Sequence, residues 1–122
     1  MDKEDSVAQV LPLIKRAQPW KPADATGEIR RLARCEEMTL TYREHARDQM
    51  LERDLLMSDV LYVLKNGFVY QDGKNSTRKG FYKYRTECPT PNSNNREVAV
   101  VVCPDPEVCE IKVITVMWLD EM

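Results

Sequence analysis

Thr41-Tyr-Arg-Glu-His-Ala-Arg-Asp-Gln-Met-Leu-Glu-Arg53 carries the only histidine of the chain, together with a helix start signal and a helical period. Thr41 followed three residues later by Glu44 reads as a capping box, in which the hydroxyl takes a first-turn N–H and the carboxylate reaches back to the cap. A helix starting at Tyr42 is therefore expected. At 3.6 residues per turn, Tyr42, Ala46 and Met50 make an apolar stripe, and His45, Gln49 and Arg53 make a polar stripe beside it. A polar row in that position borders a core. At about 1.5 Å rise per residue, His45 and Arg53 stand roughly 12 Å apart along the axis, which lets them line one groove without touching.

Beyond this helix, Asp54-Leu-Leu-Met57 is a short link. Ser58 reads as the N-cap of a second helix over Asp59 to Asn66, with Asp59 in the first turn and Gly67 where a C-cap glycine belongs. Val60, Leu61, Val63 and Leu64 supply its buried side. Two helices with a common apolar face need a sheet to cover it. Phe68 to Gln71 is a short strand candidate, and Asp72 to Ser76 a turn. Phe81 to Thr86 alternates Tyr82 and Tyr84 against Phe81, Lys83 and Arg85. Pro89 to Asn95 is a loop by composition. Glu97 to Cys103 and Cys109 to Trp118, rich in valine and isoleucine, form a hairpin joined by Pro104 to Val108, and the nearly continuous apolarity of Val98 to Val102 marks central strands. Helices followed by a meander predict an α+β fold, with helices packed on one face of a small antiparallel sheet.

Upstream, Val7, Val10, Leu11, Ile14 and Ala17 give an amphipathic helix over Ser6 to Trp20, interrupted by Pro12. Pro19, Pro22 and Gly27 then punctuate the chain. Glu28 to Glu37 suits a short helix, with Ile29, Leu32 and Ala33 inside and Arg30, Arg31 and Arg34 outside. That basic face suits nucleic acid or a partner, and equally a plain solvated surface. The division read from these signals is an N-terminal helical extension over residues 1–38 and an α+β domain over 39–122.

A chain of 122 residues accommodates one ordinary domain. Hydrophobic residues at 43% and charged residues at 31% are typical of soluble proteins, and no apolar run approaches the roughly 20 residues of a membrane span. No membrane is expected among its partners. The start, Met1 to Asp5, is acidic and lacks a secretory pattern, so the expected location is cytoplasmic. Cys35, Cys88, Cys103 and Cys109 contain no CxxC pair and read as thiols; zinc would require Cys88, Cys103 and Cys109 to converge with Cys35 or His45, at a spacing that matches no known zinc module. No cofactor and no metal is expected. A net charge of −2 gives no general attraction to nucleic acid, so RNA binding would need a local patch.

Such a patch exists. From Lys74 to Arg85 the charged residues are Lys74, Arg78, Lys79, Lys83 and Arg85, without one carboxylate, interleaved with Phe81, Tyr82 and Tyr84. Cations that neutralise phosphate beside rings that stack on bases suit single-stranded RNA; a solvated edge strand is the plain alternative. His45 likewise has a plain reading, a histidine at the core border. Its company points to chemistry: Arg53 is on its stripe, and a sheet carrying Tyr84, Arg85 and Thr115 must pack nearby. Cleaving RNA without metal needs a base for the ribose 2′-hydroxyl, cations for the phosphorane charge and an acid for the 5′-oxygen. No P-loop, GxSxG, HExxH or Rossmann glycine pattern is present, so hydride transfer and nucleotide hydrolysis have no support.

His45-Ala46, Met50-Leu-Glu-Arg53, Ser58-Asp-Val60, Gly67, Tyr82-Lys-Tyr-Arg85, Val98 to Val102 and Val113-Ile-Thr-Val116, in that order and spacing, resemble the bacterial family called domain of unknown function 4258. The resemblance covers about Thr39 to Leu119. Members of that family look like small relatives of RelE-like and BrnT-like toxins. The resemblance implies a toxin-like ribonuclease that leaves a 2′,3′-cyclic phosphate and a 5′-hydroxyl, and a cognate antitoxin partner with zinc-finger and helix-turn-helix parts. Carried position by position, it implies His45 as general base or acid, Arg53 and Arg85 as stabilisers of phosphate charge, and Thr115 as an orienting hydroxyl. Tyr84 joins these from the residue reading, and Lys74, Arg78, Lys79, Tyr82 and Lys83 are the expected RNA contacts. Where the family helix often carries arginine before its methionine, this chain has Gln49. The alternative function is a non-catalytic protein- or RNA-binding module. Neither the RNA target nor the choice between monomer and homo-oligomer is written in these residues.

Overall fold

The computed structural model describes residues 16–122. The expected helix over Ser6 to Trp20 falls almost wholly outside them. The described part contains three α-helices, α1 (Pro22–Ala33), α2 (Glu44–Arg53) and α3 (Met57–Asn66), and six strands, β1 (Thr39–Tyr42), β2 (Phe68–Val69), β3 (Lys74–Asn75), β4 (Tyr82–Pro89), β5 (Glu97–Asp105) and β6 (Glu110–Trp118), followed by a 3₁₀ turn (Leu119–Glu121). The fold is α+β. The sheet is mixed, in the order β1-β6-β5-β4-β2, with β3 also paired to β4. The meander β4-β5-β6 is antiparallel, as the sequence predicts, whereas β1 joins the β6 edge in parallel.

That parallel strand explains why α2 begins at Glu44 and not at Tyr42. Thr39 to Tyr42 alternates β-branched polar residues with Leu40 and Tyr42, and both of these pack against the core. A period of two in that segment serves the sheet, and β6 offers an unpaired edge to it. Thr41 then cannot cap the helix. Its hydroxyl donates to Glu110 Oε2 at 3.1 Å, and Arg43, in extended conformation, occupies the N-cap. Ala46 and Met50 remain on the buried side of α2, as expected.

α2 continues along β6 where β1 stops. Arg43 N–H donates to Val113 O at 2.9 Å, and Val116 N–H donates to Gln49 Oε1 at 2.9 Å. A side chain thus replaces the missing strand at the sheet edge.

One apolar cluster runs from Trp20, Ile29 and Leu32 through Val60, Val63 and Leu64 to Val98, Val100, Val102, Val113 and Val116. α1 therefore shares its core with the sheet. Each of these buried aliphatic side chains contributes on the order of 1.5–3 kcal/mol. Arg30 and Arg34, expected on an outward basic face, turn to the end of α3, donating to Gly67 O and Asn66 O and to Lys65 O respectively. They satisfy carbonyls that the helix end leaves open. At the other end of α3 the N-cap is Leu56, not Ser58; Asp59 Oδ2 accepts the Leu56 N–H at 2.8 Å, and Asp59 Oδ1 accepts the Thr90 hydroxyl at 2.7 Å. Gly67 does sit at the C-cap, but its φ of −79° is open to any residue. Glycine is needed there for proximity, because a Cβ would lie 2.6 Å from both Thr86 Oγ1 and Val63 O.

Candidate functional site

Cross-strand partners point to the same side of a sheet, so the register sorts its two faces. Tyr84, Val102 and Val113 share the helix-covered side, as do Thr86, Val100 and Val116. Arg85, Val101 and Thr115 form a row on the opposite side. Glu87, Ala99 and Met117 form the next, over which the final 3₁₀ turn packs against β5. In the other direction lie Cys103, Lys112 and Thr41. This second side carries no α-helix among the described residues and is the surface that holds Lys74, Lys83, Arg85 and Thr115.

Arg85 and Thr115 are separated by two strand intervals, about 10 Å between backbones. Arg85 Nε is 3.0 Å from Glu87 Oε2, and its Nη1 reaches the Met122 sulfur at 4.0 Å. His45, Gln49 and Arg53 share one stripe of α2, and Gln49 ties that stripe to the β6 edge. His45 is exposed and makes no hydrogen bond or ion pair with a described residue. In the chain it stands between Arg43, whose N–H reaches Val113 O, and Gln49, whose side chain reaches Val116, so it belongs to the segment of α2 that follows the β6 edge. Arg53 is clamped. Its Nε donates to Glu121 Oε1 at 2.8 Å and its Nη1 lies 3.1 Å from Glu52 Oε1. The Glu121 contact holds the guanidinium pKa above its usual value, and the same bond holds the Glu121 carboxyl below its own.

Tyr84 and Tyr82 fall on the helix-covered side. Tyr84 is 1% exposed, stacks on Trp20 with centroids 5.3 Å apart, accepts the Trp20 N–H at 2.8 Å and donates to Gln18 Oε1 at 3.0 Å. Burial raises its pKa, so its hydroxyl acts as a neutral hydrogen-bonding group of the core. The structure does not bring it together with His45, Arg85 and Thr115. Tyr82 packs against the same core. Lys74 and Lys83 are direct cross-strand partners on the open face. Arg78 lies over the Phe81 ring at 3.8 Å and the same distance from Asp105 Oδ2, and Lys79 is exposed in the turn between.

The cysteines do not converge. Cys88 is on the helix-covered side, where burial raises its pKa to about 11, while Cys103 is on the open side. Cys35 and Cys109 neighbour one another near the start of β1, and burial together with the nearby Cys35 thiol raises the Cys109 pKa. No group of three or more potential metal ligands occurs among the described residues.

The sequence reading missed Arg43 and Lys112. Both line a cleft on the open face with Arg78, Lys83 and Cys103. Lys112 had a usable signal: it is the one charged residue within the run Ile111 to Met117, so strand alternation turns it away from the core. Arg43 had none, because the helix expected from Tyr42 hides its position at the end of a strand.

No helix among the described residues is long and apolar enough to cross a membrane. Residues 42–118 match the family described as Domain of unknown function (DUF4258). No curated protein and no solved structure matches the chain.

Proposed function

The chain belongs to the family Domain of unknown function (DUF4258), and from that premise we propose that it is a toxin-like ribonuclease of the cytoplasm that cleaves RNA through attack of a ribose 2′-hydroxyl, without a metal. The observation that carries the reading is an exposed histidine on the helix tied to the β6 edge of a sheet whose helix-free face holds Arg85, Thr115 and several cations. In this reading His45 takes the proton of the 2′-hydroxyl, and the 2′-oxygen bonds to the adjacent phosphorus. Arg85 and Arg53 stabilise the charge gathered on the phosphoryl oxygens, and Thr115 orients one of them. The bond to the 5′-oxygen breaks, and that oxygen leaves as a hydroxyl by taking back, directly or through water, the proton that His45 removed. A 2′,3′-cyclic phosphate remains on the other fragment. The partner would be an antitoxin that covers this face.

The alternative, a binding module without catalysis, is favoured by one observation: Arg53 and Arg85 both already hold carboxylates, Glu121 and Glu87. The two readings separate in a bacterial host expressing the chain beside His45→Ala and Arg53→Ala, with total RNA examined for new 5′-hydroxyl ends. Growth arrest with new ends from the parent, both lost in His45→Ala, is the expected result. Unchanged cleavage by His45→Ala removes histidine from the mechanism; folded parent protein that causes neither arrest nor new ends leaves the binding module.

A further inference from the structure

The cleft beneath the Ser76 to Phe81 turn, about 110 Å³ in volume, is lined by four cations, Arg43, Arg78, Lys83 and Lys112, and two carboxylates, Asp105 and Glu110. The carboxylates are engaged. Asp105 Oδ1 accepts the Glu107 N–H at 3.2 Å and Asp105 Oδ2 is 3.8 Å from Arg78, while Glu110 Oε2 accepts the Thr41 hydroxyl. The side chains of Arg43, Lys83 and Lys112 have no hydrogen bond or ion pair to any described residue. Lys74 adds to this excess, because it stands directly across from Lys83, a like-charge pair that costs stability unless an anion lies between or above it. Cys103 is the partner of Lys112 and also lines the cleft.

We propose that this cleft is a phosphate subsite for single-stranded RNA, in which Lys83, Lys112 and Arg43 hold one backbone phosphate over Cys103. The proposal rests on the RNA reading above and deepens it. Cys103 and Val101 are two residues apart on β5, so the subsite lies about 7 Å from the Arg85 and Thr115 row, on the order of one nucleotide step along an extended strand. A single strand could thus place one phosphate here and its neighbour on that row. The guanidinium of Arg78, stacked on Phe81 and open on its other side, offers a plane on which the adjoining base can stack.

The test uses the full chain and a fluorescent oligouridylate with 2′-O-methyl riboses, which cannot be cleaved by 2′-attack, titrated by anisotropy at several salt concentrations. Loss of one phosphate contact on a single strand lowers the salt slope by about 0.7, which amounts to roughly fivefold in affinity at 0.1 M salt. Lys83→Ala and Lys112→Ala should each show that loss, Lys83→Arg should restore it, and Lys21→Ala on the helix side should bind as the parent. The oligomer should also protect Cys103 from alkylation, located by peptide mapping. Parent-like binding by both alanine variants, or no binding by the parent at 0.1 M salt, overturns the subsite. Protection of Cys103 by uridine monophosphate at concentrations where the oligomer gives none also overturns it, reassigning the cleft to a small phosphate ester. Failure of the ribonuclease reading looks different: binding with the predicted losses, but no cleavage of unmodified RNA.

Discussion

Gln49→Met keeps the length and apolar stem of the side chain and removes only the acceptor for the Val116 N–H. Val116 is fully buried, and its N–H points to the sheet edge that β1 leaves open beyond Val113. Loss of an ordinary hydrogen bond costs about 0.5–1.5 kcal/mol, and a buried donor left without a partner costs about 1–3 kcal/mol. The second figure applies here, so a destabilisation of about 1–3 kcal/mol is expected, with a melting temperature lower by roughly 4 °C for each kcal/mol in a domain of this size. Gln49→Glu retains an acceptor and should keep most of the stability. Gln49→Arg, which likewise offers no acceptor, should behave as the methionine variant. The assay is urea unfolding followed by circular dichroism, with hydrogen exchange of the Val116 amide as the local readout. A methionine variant within about 0.3 kcal/mol of the parent, or a glutamate variant as weak as the methionine one, would refute the role of this contact in holding α2 to the edge.

Tyr84→Phe should lower stability by about 1–3 kcal/mol, since the buried Trp20 N–H loses its acceptor, while leaving any RNA cleavage at the parental rate once the protein is folded; a selective loss of cleavage would return the hydroxyl to the mechanism. The pH dependence of the final turn follows from Glu121 and Asp120, whose pKa values are held below 4.5 and 3.8 by Arg53 and Arg96. A depressed carboxylate stabilises the fold above its unfolded pKa, and that contribution is lost as pH falls through the folded value. The turn should therefore hold at pH 5 to 7 and loosen below about pH 4. Trp118 reports this, because its backbone N–H donates to Glu121 Oε1 and its ring lies under Arg96; its fluorescence, taken as the difference from Trp118→Phe, should stay constant down to that range and then change.

The hairpin of β5 and β6 was legible because valine and isoleucine runs of strand length, bounded by prolines, leave few alternatives. The side assigned to Tyr82 and Tyr84, against Lys83 and Arg85, followed from the two-residue period alone. β1 was not legible. Thr41 and Glu44 satisfy the capping pattern equally well in isolation, and only the free edge of β6, distant in sequence, decides that Thr41 belongs to a strand. The same blindness affected the site. Interleaved aromatic and basic residues read as one RNA surface, but a strand sends neighbours to opposite faces, so the two tyrosine rings turn to the core while the cations and Phe81 stay outside. Gly67 was placed correctly for a different reason, since the approach of Thr86 demands it and not a left-handed turn.

The position of α2 links stability to the proposed chemistry. Because Gln49 completes the edge of β6, the helix cannot shift along that strand without exposing a buried N–H. His45, one turn earlier on the same stripe, is thereby held at a fixed place along the β6 edge. Arg53, one turn later, is held where Glu121 can reach it. A mobile histidine would serve a proton transfer poorly, since the base must sit within hydrogen-bond reach of the proton it takes. An arginine at position 49 could contact phosphate but could not accept the Val116 N–H. In this chain Gln49 is committed to the edge, and under the proposal above Lys83, Lys112 and Arg43 would supply the phosphate contacts. Gln49→Arg should then trade stability for RNA affinity: a gain in oligonucleotide binding alongside the loss in unfolding free energy would support that exchange, and a loss in both would refute it.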